Sequence, residues 1–244
     1  MQNFNLEIFR RVFSQTTNDF SVAGSRLMSD GSGDTNFRAA LFLDNMNGAL
    51  VNKHNWRVTT IGTCTVTPVK GHCIRLSRAA GGAQGDYAEI KLKGSYGRIN
   101  ETGMIVFSLN ILGSTKGGQG ILTGTNNDEC MFFGMKFDSA NYVGIVSRDN
   151  NSAGADEKYY LVTCFNGVET KSASFVIPNE DLPDHLIELY MSLDNVDLFY
   201  DNSLVLSNTT NIPNNAELRP YVRVTHGAMG NDSKIDVDYI KIQQ

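Results

Sequence analysis

The stretch covering residues 185–206 limits the choice of fold more than any other, because three short segments in it alternate apolar and polar side chains between Asx-rich breaks. Ile187, Leu189, Met191 and Leu193 fall on one side, and Glu188, Tyr190 and Ser192 on the other. That is the two-residue period of a half-buried strand. Asp194-Asn195 ends the run, Val196, Leu198 and Tyr200 restore it, and Asp201-Asn202 ends it again before residues 203–206. Asp and Asn tolerate left-handed backbone and bond their own main chain, so each pair reads as a tight turn. Three strands joined by two such turns make a β-meander.

Other segments supply strands to lay against it. Residues 56–66 and 72–77 read as a hairpin around Thr67-Pro68-Val69-Lys70-Gly71. In residues 87–93, Ala88, Ile90 and Leu92 alternate with Tyr87, Glu89, Lys91 and Lys93, which predicts an outer strand with one charged face. Residues 104–112 follow, and then residues 130–138, where Met131, Phe133, Met135 and Phe137 share a face. Core packing is the first reading of that face, and an adaptable binding surface the second. Asn166-Gly167 is the strongest hairpin signal, since a type I′ turn needs positive φ at both central residues; it joins residues 159–165 to 168–176. Residues 142–146, 218–225 and 234–242 complete the set. A chain of 244 residues, 41% hydrophobic, can bury one substantial core. With no interior helix and no repeat of fixed period, the predicted fold class is all-β, a two-sheet antiparallel jelly-roll sandwich.

Residues 1–38 differ in character and read as an arm and linker ahead of a sandwich at 39–244. Leu6, Phe9, Val12 and Phe13 lie at helical spacing, while Phe4, Leu6 and Ile8 allow an extended reading. Ser29-Asp30-Gly31-Ser32-Gly33-Asp34 is linker-like. The apolar stripe either packs back on its own domain or docks on a partner or sister subunit.

The 21 basic and 26 acidic residues give a net charge of -5, which argues against a nucleic-acid partner; Arg10-Arg11 is the one adjacent basic pair. No apolar run reaches the ~20 residues that span a bilayer, so membrane insertion is not expected. The first residues lack the basic start and apolar core of a signal peptide, and the expectation is a protein made in a host cytoplasm. Cys64, Cys73, Cys130 and Cys164 have no C-x-x-C spacing. Cys64 and Cys73 flank the 68–71 turn and are expected to face each other as buried, reduced thiols.

The order of features resembles the concanavalin A-like jelly roll of legume lectins, laminin-G domains, pentraxins and family-16 glucanases. The matching pieces are Leu43-Asp44-Asn45-Met46 with Trp56 downstream, the strand at 103–112, FFGMKFD at 132–138, HLIELYMSLDNVDLFYDNSLV at 185–205 and IDVDYIKI at 235–242. The resemblance implies that the final strand returns beside the first. It also implies a choice between sugar binding and sugar hydrolysis, because the fold alone does not set function.

The hydrolases of the family carry an E-x-D-x-x-E strand that places acid and nucleophile about one glycosidic bond. This sequence has no such pattern; Asp236-Val237-Asp238 comes nearest, lacks glutamate and is expected to face solvent. No G-x-S-x-G or H-E-x-x-H motif is present, and His54, His72, His185 and His226 are not at ligand spacing. The chain therefore reads as non-enzymatic. A lectin reading needs polar and aromatic loop side chains, often beside calcium. The candidates are Asp149, Asn151, Asp156 and Glu157, with Tyr96 and Tyr142 as stacking platforms. No cofactor is required, and calcium at the 149–157 loop stays open. Trp56 reads as a core anchor.

These features lead to a virion structural protein, most plausibly of a bacteriophage: a capsid decoration, fibre or tail-associated component. Its arm would dock on other virion proteins through Leu6, Phe9, Val12 and Phe13, and it would form a homo-oligomer. The alternatives are a carbohydrate-binding module recognising host-surface glycans and a divergent glycan hydrolase.

Overall fold

The computed structural model describes residues 26–28, 38–45, 55–69, 73–78, 82–94, 99, 105–112, 129–148, 159–175, 185–225 and 233–243. In chain order the strands are β1 (Arg26–Met28), β2 (Arg38–Asn45), β3 (Trp56–Thr60), β4 (Thr65–Val69), β5 (Cys73–Arg78), β6 (Tyr87–Leu92), β7 (Ile105–Leu112) and β8 (Glu129–Lys136). They continue as β9 (Tyr142–Arg148), β10 (Tyr159–Phe165), β11 (Val168–Phe175), β12 (His185–Met191), β13 (Val196–Tyr200), β14 (Ser203–Asn208), β15 (Arg219–Thr225) and β16 (Ser233–Gln243). No described residue is helical.

The strands form two antiparallel sheets. The nine-stranded sheet runs β1-β2-β16-β7-β12-β13-β14, with β5 also pairing β16 and β4 added outside β5. The seven-stranded sheet runs β11-β10-β9-β8-β15-β6-β3. Between them lies a continuous core of Ile74, Leu76, Ile187, Leu189 and Ile240 from one sheet and Ile90, Leu92, Phe133, Ile145 and Val222 from the other. Burying each such side chain contributes roughly 1.5–3 kcal/mol, so this layer is the main source of stability.

The meander is present as β12-β13-β14, and β16 lies against β2, as the resemblance implied. Asn166 and Gly167 take φ 50 and 82, Asp201 and Asn202 φ 47 and 65, so both pairs form the left-handed turns expected. The break at Asp194-Asn195 is different: the Ser192 N–H donates to the Asn195 carbonyl at 2.8 Å, and the Ser192 hydroxyl accepts the Asn195 N–H at 3.1 Å. Trp56 is buried in the core.

Several expectations are corrected. Residues 56–66 are not one strand, because the chain crosses between sheets after Thr60. Gly62 sits at φ 66, and the Asp86 carboxylate accepts the N–H groups of Thr63 and Ala83 at 3.3 and 3.0 Å, which holds the crossing. Pro68 lies in β4 rather than in a turn; β4 pairs only with β5, and an edge strand tolerates a missing donor. Cys73 pairs with Val69, so the hairpin does not place it opposite Cys64. Both are buried free thiols, as is Cys164. The β6 strand is not outermost, since β3 covers its free side. Asp236 does not face solvent: it is 2% exposed and its carboxylate accepts both Nε and Nη2 of Arg75 at 2.7 Å. Phe137 leaves the core face of β8 and is exposed.

Part of the stretch assigned to the linker belongs to the sandwich. Arg26–Met28 pairs with residues 38–40 at the edge of the nine-stranded sheet. The stripe of Leu6, Phe9, Val12 and Phe13 lies outside the described residues.

Candidate functional site on the seven-stranded sheet

One face of the seven-stranded sheet packs on the core, and the opposite face carries a second apolar cluster. Directly paired residues of antiparallel strands share a face, so the register gives this outward surface row by row. One row runs Thr59, Glu89, Arg223, Phe132, Val146 and Tyr160. The next runs Arg57, Lys91, Tyr221, Gly134, Gly144, Val162 and Lys171. A third runs Arg219, Lys136, Tyr142, Cys164 and Glu169.

Its floor is aromatic. Phe132, Val146, Tyr160, Val162 and Tyr221 form a buried cluster, with Tyr142 packed against it half-buried. Phe132 meets Tyr142 and Tyr221 edge-on, with ring centroids 5.8 and 5.6 Å apart. Gly144 makes room for this: a Cβ there would stand 2.5 Å from Phe132 Cζ and 2.8 Å from the Phe133 carbonyl.

Charged heads lie over that floor. The Lys136 Nζ sits over the Phe132, Tyr142 and Tyr221 rings at 5.5, 5.3 and 5.1 Å. The Lys171 Nζ lies 4.4 Å from the Tyr160 ring centroid and the Arg223 guanidinium 4.0 Å from that of Tyr87. Such contacts hold a cation in place without neutralising it. The Tyr221 hydroxyl donates to Glu89 at 2.6 Å and the Tyr142 hydroxyl to Glu169 at 2.5 Å. Burial, and then the adjacent carboxylate, pushes both phenols above their ordinary pKa. Burial lowers the Lys91 pKa and Arg219 lowers it further; Glu89 opposes them, and Lys136 and Arg57 add smaller lowering effects.

The two carboxylates cannot act together on one glycosidic bond. Glu89 is on β6 and Glu169 on β11, with β15, β8, β9 and β10 between them. At ~4.8 Å per strand the separation is on the order of 20 Å, against the roughly 5–10 Å that either glycosidase geometry requires.

Of the sequence-predicted site residues, Tyr142 belongs to this face; it is anchored beneath Lys136 and hydrogen-bonded rather than projecting from a loop. Tyr96, Asp149, Asn151, Asp156 and Glu157 lie outside the described residues. Among the described residues no three His, Cys, Asp or Glu side chains converge to hold a metal ion. The residues that sequence reasoning missed are Glu89, Lys91, Lys136, Glu169, Arg219 and Tyr221. Their signal was the unbroken apolar run in β8 and β10, Met131-Phe132-Phe133 and Tyr159-Tyr160-Leu161-Val162, which marks strands with apolar side chains on both faces.

No family model and no curated protein matches the chain. Solved structures do match in fold. The endo-1,3-β-glucanase from Streptomyces sioyaensis aligns at 13% identity over 89% of this chain and 99% of its own, with a TM-score of 0.58. The carbohydrate recognition domain of Emp47p aligns at 14% identity over 82% and 93%, TM-score 0.56. A β-glucanase from Bacillus licheniformis aligns at 14% identity over 83% and 97%, TM-score 0.54. The chain thus shares the jelly-roll sandwich fold of these glucanases and this carbohydrate recognition domain.

Proposed function

We propose that this chain is a non-catalytic carbohydrate-binding jelly roll whose binding surface is the outward face of the seven-stranded sheet. The observation that carries the reading is the built polar layer over the aromatic floor. Two tyrosine hydroxyls fix two carboxylates, and three cations are held over rings, so the heads are positioned before any ligand arrives. Sugar hydroxyls are recognised by such charged donors and acceptors, each hydrogen bond to a charged group contributing about 1.5–3 kcal/mol. Support for binding over hydrolysis comes from the wide separation of Glu89 and Glu169. The presence of both lectin domains and glycosidases among the structural neighbours leaves the fold neutral between the two.

The test is a glycan array probed with the full-length protein, with and without a chelator, and again with Tyr142→Ala. Saturable binding that Tyr142→Ala weakens by about tenfold is the expected result, with bound glycans recovered uncleaved. The absence of binding to every glycan would overturn the reading, and shortened glycans would transfer it to hydrolysis. Loss on chelation would show that binding needs a metal ion, for which the loop at 149–157 is the proposed place.

Display of this module on a bacteriophage particle is the setting we propose for it, motivated by the amphipathic stripe Leu6, Phe9, Val12 and Phe13. Deleting residues 1–25, which precede β1, is expected to abolish incorporation while the sandwich still folds; unchanged incorporation would remove the docking role.

A further inference from the structure

The chain as a whole is acidic, with a net charge of -5, yet the outward face of the seven-stranded sheet has the opposite sign. Its register rows bring together Arg57, Lys91, Lys136, Lys171, Arg219 and Arg223 against the carboxylates of Glu89 and Glu169. Each of those two carboxylates already accepts a tyrosine hydroxyl.

The excess is concentrated at one place. Arg57 stands opposite Lys91, and Arg219 opposite Lys136, on the four adjacent strands β3, β6, β15 and β8. Like charges directly opposite across a ladder are destabilising. Among the described residues none of the four forms an ion pair with a carboxylate. Lys91 reaches only the Phe137 carbonyl, at 3.4 Å. Among the described residues the buried Arg219 Nε has no hydrogen-bond acceptor, so one donor of this cluster is left over. The lowered pKa of Lys91, due first to burial and then to Arg219, with Glu89 opposing and Lys136 and Arg57 adding smaller effects, agrees with that crowding.

We infer that Arg57, Lys91, Lys136 and Arg219 form an anion subsite for the acidic substituent of a polysaccharide, a uronate carboxylate or a sulfate ester. This rests on the carbohydrate-binding reading and deepens it. The planar guanidinium of Arg219 suits two-point contact with either group, and Lys91 and Lys136 supply point charges beside it. Anion binding there relieves the repulsion among the four cations.

The experiment titrates the full-length protein with dextran, dextran sulfate, polygalacturonate and single-stranded oligothymidylate, at low and at high salt. Lys91→Gln/Arg219→Gln is compared with the wild type, its folding checked by circular dichroism. At least one acidic polysaccharide is expected to bind about tenfold or more tighter than dextran, with the preference shrinking at high salt and in the double variant. The sulfate and uronate arms identify which anion is preferred. Equal affinity for neutral and acidic polysaccharides overturns the anion subsite but leaves carbohydrate binding in place. Binding to none of the polysaccharides removes both. Oligothymidylate binding as tight as the best polysaccharide overturns the inference in favour of a general polyanion surface. The salt series on the wild type decides the matter even where the double variant fails to fold, because affinity for the acidic polysaccharide that does not fall with salt is incompatible with the subsite.

Discussion

The outward faces of the two sheets handle charge in opposite ways. On the nine-stranded sheet, Asp236, Asp197 and Lys241 each meet a partner. Asp236 stands opposite Arg75 and accepts two hydrogen bonds from it, and Asp197 stands opposite Ser207 and accepts its hydroxyl. Lys241 shares a row with Glu188, whose charge offsets part of the effect of burial on the Lys241 pKa. On the seven-stranded sheet, cations lie beside cations, and aromatic rings rather than acids hold them. A paired, buried charge is a structural device, whereas an unneutralised patch on a rigid floor retains its field for something outside the chain. The contrast teaches where to look for a ligand.

Removing half of the paired device breaks the comparison most directly. Arg75→Ala leaves the Asp236 carboxylate buried without its counter-charge, and an expected loss of roughly 3 kcal/mol would be read from urea unfolding. A loss under ~1 kcal/mol would show that Asp236 finds another partner or water. Gly144→Val attacks the floor of the other face, since the new side chain collides with Phe132 and the Phe133 carbonyl. It should destabilise by about 2 kcal/mol and weaken glycan binding as well, both measurable on one preparation.

The alkaline limb sharpens the comparison without changing the fold. The Tyr142 and Tyr221 phenols are raised above the ordinary value of 10.0, so their contribution to stability is complete below about pH 10. It is lost as pH rises further, because the unfolded chain ionises first. Lys91 and Lys241, lowered from 10.5, act in the opposite sense, since the folded chain releases their protons first and they favour folding as pH rises towards the ordinary value. Tyr221→Phe should therefore flatten the decline of stability above pH 10, by urea unfolding across a pH series; an unchanged slope would place the alkaline sensitivity elsewhere. The smallest expected effect on stability is that of Lys136→Met, under ~1 kcal/mol, because the cation over the rings is replaced by an apolar chain of similar length. The same change should weaken binding of acidic glycans more than binding of neutral ones.

Much of the scaffold was legible because its signals are local. The alternation in residues 185–206 gave β12 to β14, and Asn166-Gly167 gave the turn between β10 and β11, where left-handed backbone suits those residues. The crossing after Thr60 was not legible, since it depends on a carboxylate at Asp86 capping backbone more than twenty positions earlier. Of the candidate site, only Tyr142 was found from sequence, and for a different role.

The sequence by itself determined that this chain makes many antiparallel strands, and where its tight turns fall, because a strand's period and a turn's backbone are properties of a few consecutive residues. Only the tertiary structure decided which strands lie side by side, and so which side chains share a row. Tyr221 and Glu89 are 132 positions apart and Arg75 and Asp236 161, yet each pair is bonded. Register across a sheet is set by burying one face of every strand at once. The character of the opposite face, paired in one sheet and unneutralised in the other, follows from that packing and from no single stretch of the chain.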